Sequence, residues 1–167
     1  MVKEDYLQYI VFFDKNKKYF KNIEKIFLLS PSIEQELLFK NLFKTAKIFS
    51  LQQSDWDLNF EYSDDADLIF LANILMYSNN PSLWIKNLKK SSKYIVFQDL
   101  INRKRGIDEE LGPDQDKIRY SYKNHKSFFN KSYNLDPHDK DILEFDVYTD
   151  YERANSKHFI CLMKGEK

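Results

Sequence analysis

Glycine is scarce in this chain: Gly106, Gly112 and Gly165 are the only three in 167 residues. Phosphate-cradling loops and dinucleotide turns need several glycines in one short turn, so that the backbone can approach a phosphate, and both are excluded. A single cysteine, Cys161, excludes an internal disulfide framework and a cysteine-rich zinc site. No charge surplus exists either. Twenty-six basic and 26 acidic side chains cancel to a formal net charge of zero. An indiscriminate grip on a phosphate backbone needs a basic excess, so no nucleic-acid partner is expected. No apolar run approaches the roughly 20 residues needed to cross a bilayer, so no membrane partner is expected. Lys3, Glu4 and Asp5 interrupt the opening residues, which do not read as a signal peptide. The expected setting is soluble, reducing and cytoplasmic.

What remains is 43% hydrophobic, 31% charged and 16% aromatic, the composition of an ordinary globular chain. No repeat, low-complexity tract or linker divides it, so residues 1–167 read as a single domain. Apolar side chains at Tyr6, Leu7, Ile10, Val11, Phe12 and Phe13 have a helix-compatible spacing. Lys25 to Ser30 is a short apolar run closed by Pro31, as expected of a strand buried on both faces. Ser32, with Gln35 three residues later, is a capping-box signal, and Ile33, Leu37, Leu38 and Leu42 continue at helical spacing. Strands are predicted over 46–51, 67–75 and 93–98, with a helix from Pro81 to Lys90 whose N-cap is Asn80. Residues 142–148 and 158–163 read as an antiparallel hairpin at the sheet edge. Between Asn102 and His138 lies a polar region with a short helix expected around Phe128 and Tyr133. Strands alternating with helices in this rhythm give an α/β domain with a mostly parallel sheet.

The middle of the chain carries a resemblance. Asp55-Trp-Asp-Leu-Asn59, Ala66-Asp-Leu-Ile-Phe-Leu-Ala-Asn-Ile-Leu75, Asn80-Pro81, Leu83 to Lys90 and Tyr94-Ile-Val-Phe97 resemble the centre of the class I S-adenosylmethionine-dependent methyltransferases. In that family an aspartate opens the fourth strand, a polar residue ends it, and a proline starts the following helix. The methionine-biosynthesis (MetW-like) subgroup also lacks the usual glycine pair before the fifth strand, as Lys90-Ser-Ser-Lys93 does here. The resemblance implies a Rossmann-like sandwich closed by an antiparallel hairpin. It also implies S-adenosylmethionine as cofactor, in a cleft beside Ser30, Ser32, Gln52, Asp55, Ala72 and Asn73, with Asp55 at the position that meets the adenine amino group. The departure is at the first turn. Leu28-Leu-Ser-Pro-Ser-Ile-Glu34 holds no glycine where the family places a glycine-rich cradle, and Ser50-Leu-Gln-Gln53 holds no acid where the family grips the ribose. Gln52 or Gln53 replaces that acid only partly.

Other constellations compete with this one. Asp108, Glu109, Glu110, Asp114 and Asp116 cluster, yet lack the third ligand and the glycine of a calcium loop, so they read as a solvated loop and no metal site is expected. His125, His138 and His158 have no metal spacing and read as surface or edge residues. No serine lies in a nucleophile motif. Cys161 reads as a small buried residue. Arg103, Arg105 and Arg119 leave or follow the carboxyl end of the 93–98 strand, where open α/β sheets place their ligands. With Tyr120 and Tyr122 lining the pocket, they could hold a carboxylate or phosphate of a small-molecule substrate; otherwise they belong to a charged, solvated loop. Two functions follow: methyl transfer from S-adenosylmethionine to a small acceptor, or a methyltransferase-like binding module that has lost the cofactor.

Overall fold

The computed structural model describes residues 3–52, 65–75, 81–102, 120–121, 139–149 and 156–167. Its elements are α1 (Lys3–Lys15), β1 (Lys25–Leu29), α2 (Ile33–Leu42), β2 (Lys47–Leu51), β3 (Ala66–Ala72), α3 (Pro81–Lys90), β4 (Ser92–Asn102), β5 (Tyr120–Ser121), β6 (Ile142–Thr149) and β7 (Ser156–Lys164). A short 3-10 turn, Lys17–Tyr19, follows α1. The strands form one sheet in the order β2-β1-β3-β4-β7-β6, with β5 beside the far end of β4. β1 to β5 pair in parallel, and β7 runs antiparallel between β4 and β6. The expected parallel sheet with a closing antiparallel hairpin is therefore present, and β6 forms its edge.

The sheet is buried on both faces because its central strands are apolar on both sides through their middles, over 26–29, 68–71, 95–97 and 159–163. Ile26, Leu28, Leu68, Phe70, Val96, Ile160 and Leu162 face α1 and α2, where they meet Tyr9, Phe12, Phe13, Leu38 and Phe39. The alternate residues, among them Phe27, Leu29, Ile69, Leu71, Ile95 and Phe97, face Trp84, Ile85 and Leu88 of α3. The period of two that sends neighbours to opposite faces makes two cores from one apolar run. β2 differs. It lies at the edge, and Phe49 is exposed.

Several joints are held by specific polar contacts. Asp67 accepts from the backbone N–H groups of Glu24 (2.8 Å) and Lys25 (3.0 Å), and pairs with Lys93 at 3.0 Å. This ties the starts of β1, β3 and β4 together. Burial opposes ionisation of Asp67, but those donors outweigh it and hold its pKa below the ordinary value. At the end of the chain Gly165 lies against the start of β4; a Cβ there would stand 1.9 Å from the Ser92 carbonyl oxygen. The Gly165 N–H donates to Lys93 O at 2.6 Å. That close approach is why the residue is glycine.

The helix expected from the apolar spacing near the N-terminus is present as α1, and only part of its apolar set is buried. Tyr9, Phe12 and Phe13 are buried, whereas Leu7, Ile10 and Val11 are exposed. The short helix expected near Phe128 and the N-cap at Asn80 lie outside the described residues. Among the described residues no helix is long and apolar enough to cross a membrane.

Candidate functional site

The crossover α2, from β1 to β2, packs on one face of the sheet; the crossover α3, from β3 to β4, packs on the other. The connections therefore diverge between β1 and β3, which are hydrogen-bonded neighbours. Divergence of this kind opens a crevice at the carboxyl ends of the strands, the place where open α/β sheets bind ligands. The register aligns the lip. Leu29 is level with Leu51 and Leu71, and Ala72 with Gln98, so Ser30, Gln52, Ala72 and Gln98 occupy one row across the sheet.

Both lips carry backbone in the left-handed region, Ser30 with φ 41° and Asn73 with φ 57°. Asparagine tolerates this conformation through its short polar side chain; for serine it is a strained choice. The conformation that glycine favours thus persists at the first turn although glycine does not. The connection from β1 to α2 is only Ser30, Pro31 and Ser32. The Ser30 N–H donates to Leu51 O at 2.6 Å, and Pro31 has no N–H. Ser32 caps α2 as its sequence indicates: its hydroxyl accepts from Gln35 N–H at 3.1 Å, and its own N–H donates to Gln35 Oε1 at 3.0 Å. Each backbone donor of this turn is engaged within the protein. The acids Glu34 and Glu36 occupy the first turn of α2 and take up its positive dipole end.

Across the crevice a buried polar chain supports Asn73. The Asn73 N–H donates to Gln98 O at 2.8 Å, and the Gln98 Nε2 makes a longer contact, 3.4 Å, with Asn73 Oδ1. Tyr9 of α1 donates its hydroxyl to Gln98 Oε1 at 3.0 Å. Gln98 Nε2 lies 2.7 Å from His158 Nδ1, and the His158 ring stacks on Tyr148 with centroids 5.2 Å apart. With the Gln98 amide nitrogen as donor, Nδ1 is the acceptor of this contact. His158 is therefore buried and engaged, not the surface or edge residue expected from its lack of metal spacing, because β7 is an inner strand covered by α1. Tyr9 and Gln98 had no sequence motif to mark them. The available signal is a polar residue following the apolar Tyr94-Ile-Val-Phe97 and a histidine opening the apolar run of β7.

Of the residues expected at the cleft, Ser30, Ser32, Gln52, Ala72 and Asn73 sit at this end of the sheet, with Gln52 and Asn73 exposed and the others half-buried. Asp55, Arg103 and Arg119 lie outside the described residues, as does the acidic cluster of 108–116. Tyr120 lies in β5, paired with Ile101 at the carboxyl end of β4. Cys161 is fully buried. Burial first, and then the Glu144 carboxylate, pushes its thiol well above the ordinary range, which leaves it inert as a nucleophile. Among the described residues no three metal-ligating side chains converge.

No protein-family model matches this sequence, and neither does any curated protein sequence. Solved structures do match. Coclaurine N-methyltransferase bound to N-methylheliamine and S-adenosylhomocysteine superposes with a TM-score of 0.68 at 8% identity, over 98% of this chain and 73% of its own. The fold is that of the class I methyltransferases. The N-terminal domain of EvdMO1 with S-adenosylhomocysteine bound gives a TM-score of 0.58 at 10% identity, over 99% of this chain and 83% of its own. The plantazolicin methyltransferase BpumL, also in complex with S-adenosylhomocysteine, gives 0.58 at 12% identity, over 93% and 81%. The two lips of the crevice between β1 and β3 differ: the β3 lip is braced by Gln98, while the β1 lip is a three-residue turn without glycine.

Proposed function

We propose that this protein is a methyltransferase acting on a small-molecule acceptor, with S-adenosylmethionine held in the β1/β3 crevice. The observation that carries the reading is the crevice itself, where Ser30, Gln52 and Ala72 line up, with Asn73 next beyond Ala72, at diverging crossovers within a methyltransferase fold. Gln52, which follows β2, would meet the ribose hydroxyls through its side-chain amide, and Asp55 would meet the adenine amino group. The cofactor, when bound, supplies an electrophilic methyl group. The chain's role is then to orient and to exclude water, work that needs position more than a dedicated acid or base. Asn73, braced through Gln98 by Tyr9 and His158, is the rigid polar group facing that position. Arg103, Arg119 and Tyr120 would hold the acceptor's anionic group, since they follow the carboxyl end of β4 or pair beside it.

A second reading is favoured by one specific observation. With Ser30 N–H on Leu51, no N–H at Pro31 and Ser32 N–H on Gln35, the first turn presents no backbone donor of its own to the methionine end of the cofactor. On that reading the fold persists as a cofactor-free binding module. Titration calorimetry and thermal melts with S-adenosylhomocysteine separate the two. Binding at one hundred times Kd stabilises by about 2.7 kcal/mol, or about 5 to 10 °C for a chain of this size. A shift of that order supports the first reading, and none at millimolar ligand with folded protein supports the second.

A further inference from the structure

The face formed by α1 and α2 is the most unusual surface among the described residues. Leu7 (57% exposed), Ile10 (41%) and Val11 (51%) follow one another on successive turns of α1, and Ile33 (74%) and Leu37 (55%) do so on α2. Neither stripe is needed for the core, which α1 reaches through Tyr9, Phe12 and Phe13. Between the helices runs a groove. At its lower end is a cavity of 540 Å³ bordered by Ile10, Phe13 and Phe43, and at its upper end a cavity of 280 Å³ bordered by Tyr6 and Leu37. A contiguous apolar patch on two helices marks an interaction site more often than a bare surface.

Three features choose the occupant. The face carries both ridges, the Leu7/Val11 and Ile33/Leu37 rows, and a groove beside them, which is what a surface needs to pack against a copy of itself. The groove is also polar at its ends in opposite senses: Glu34 borders the upper cavity, while at the lower one Lys17 and Lys21 outnumber Asp14. A two-fold axis across the middle of the groove sets Glu34 of each copy over Lys17 and Lys21 of the other, and makes both pairings at once. The formal net charge of zero leaves no long-range repulsion between copies. We propose that α1 and α2 form an isologous dimer interface, with a second copy of this chain seated antiparallel in the groove.

The test is sedimentation equilibrium of the full chain across the micromolar range, with circular dichroism confirming that each variant is folded. The wild type is expected to dimerise. Val11→Glu, at an exposed position, is expected to raise the dimer Kd by roughly 30-fold or more, the effect of losing an interfacial hot spot. Glu34→Lys alone and Lys17→Glu/Lys21→Glu alone should each weaken the dimer, and the triple variant should recover it, because the two-fold pairs the reversed charges again. A wild type that stays monomeric overturns the proposal and leaves the face to a different protein. A dimer indifferent to Val11→Glu, or one whose charge reversals fail to compensate, overturns it too.

Discussion

Ser32→Ala is the substitution that reaches furthest into both the fold and the proposed site. Ser32 Oγ accepts from Gln35 N–H at 3.1 Å, and the reciprocal bond from Ser32 N–H to Gln35 Oε1 is 3.0 Å. Alanine removes the first bond and keeps the second. Gln35 is 8% exposed, so water replaces the lost acceptor poorly. Loss of a serine cap ordinarily costs about 1 kcal/mol, within a range of about 0.5 to 2, and the burial of Gln35 places this site in the upper half. With a urea slope of about 2 kcal/mol per molar, the midpoint should fall by roughly 0.5 to 1 M. Ser32→Asn restores a capping oxygen and should recover most of that loss. Both variants are then titrated with S-adenosylhomocysteine. If Ser32 is only a cap, affinity measured on folded protein stays close to wild type for both. A wild-type melt for Ser32→Ala would refute the capping argument. A stable variant that no longer binds would show instead that the hydroxyl meets the ligand.

Tyr9→Phe removes the donor to Gln98 Oε1 in a buried setting and should destabilise by about 1 to 3 kcal/mol, read from denaturant melts. Its loss should also loosen Asn73, visible as weaker ligand binding in the folded variant. Gly165→Ala puts a Cβ 1.9 Å from the Ser92 carbonyl, so the last segment must move; a loss of about 1 to 3 kcal/mol in the same assay is expected. Ser30→Gly relieves a φ of 41° at a position where serine is strained, and should leave stability unchanged or raised by up to about 1 kcal/mol, whereas Ser30→Val should lower it. Asp67 has a folded pKa below its unfolded one, so its contribution is present above the ordinary aspartate range and is lost as pH falls through the folded value. Asp67→Asn should therefore lower stability near neutral pH and flatten the acid limb of a stability profile below about pH 4; an unchanged acid limb would count against the β1–β3–β4 tie.

Local rules were enough for much of this molecule. The capping box at Ser32 and Gln35 needs only three residues of separation, and the order of strands and helices follows from apolar runs bounded by Pro31 and Pro81. The closing hairpin was legible because no helix fits between its strands. The first turn's lack of glycine was legible too, and with it the doubt over the methionine end of the cleft. Other features depend on residues far apart in the chain. Tyr9 and Gln98 are 89 positions apart and Gln98 and His158 are 60 apart, so no window of sequence contains the chain of bonds that braces Asn73. The burial of His158 came from β7 settling between β4 and β6, a pairing choice the residue itself does not announce. α1 shows the division most clearly. Its sequence is apolar on more than one face, so periodicity establishes a helix, while the side facing the core was decided by the sheet against which Tyr9, Phe12 and Phe13 could pack. Local periodicity specifies what an element is; burial specifies which of its faces matters, because hydrophobic free energy is released only where a second surface arrives to exclude the water.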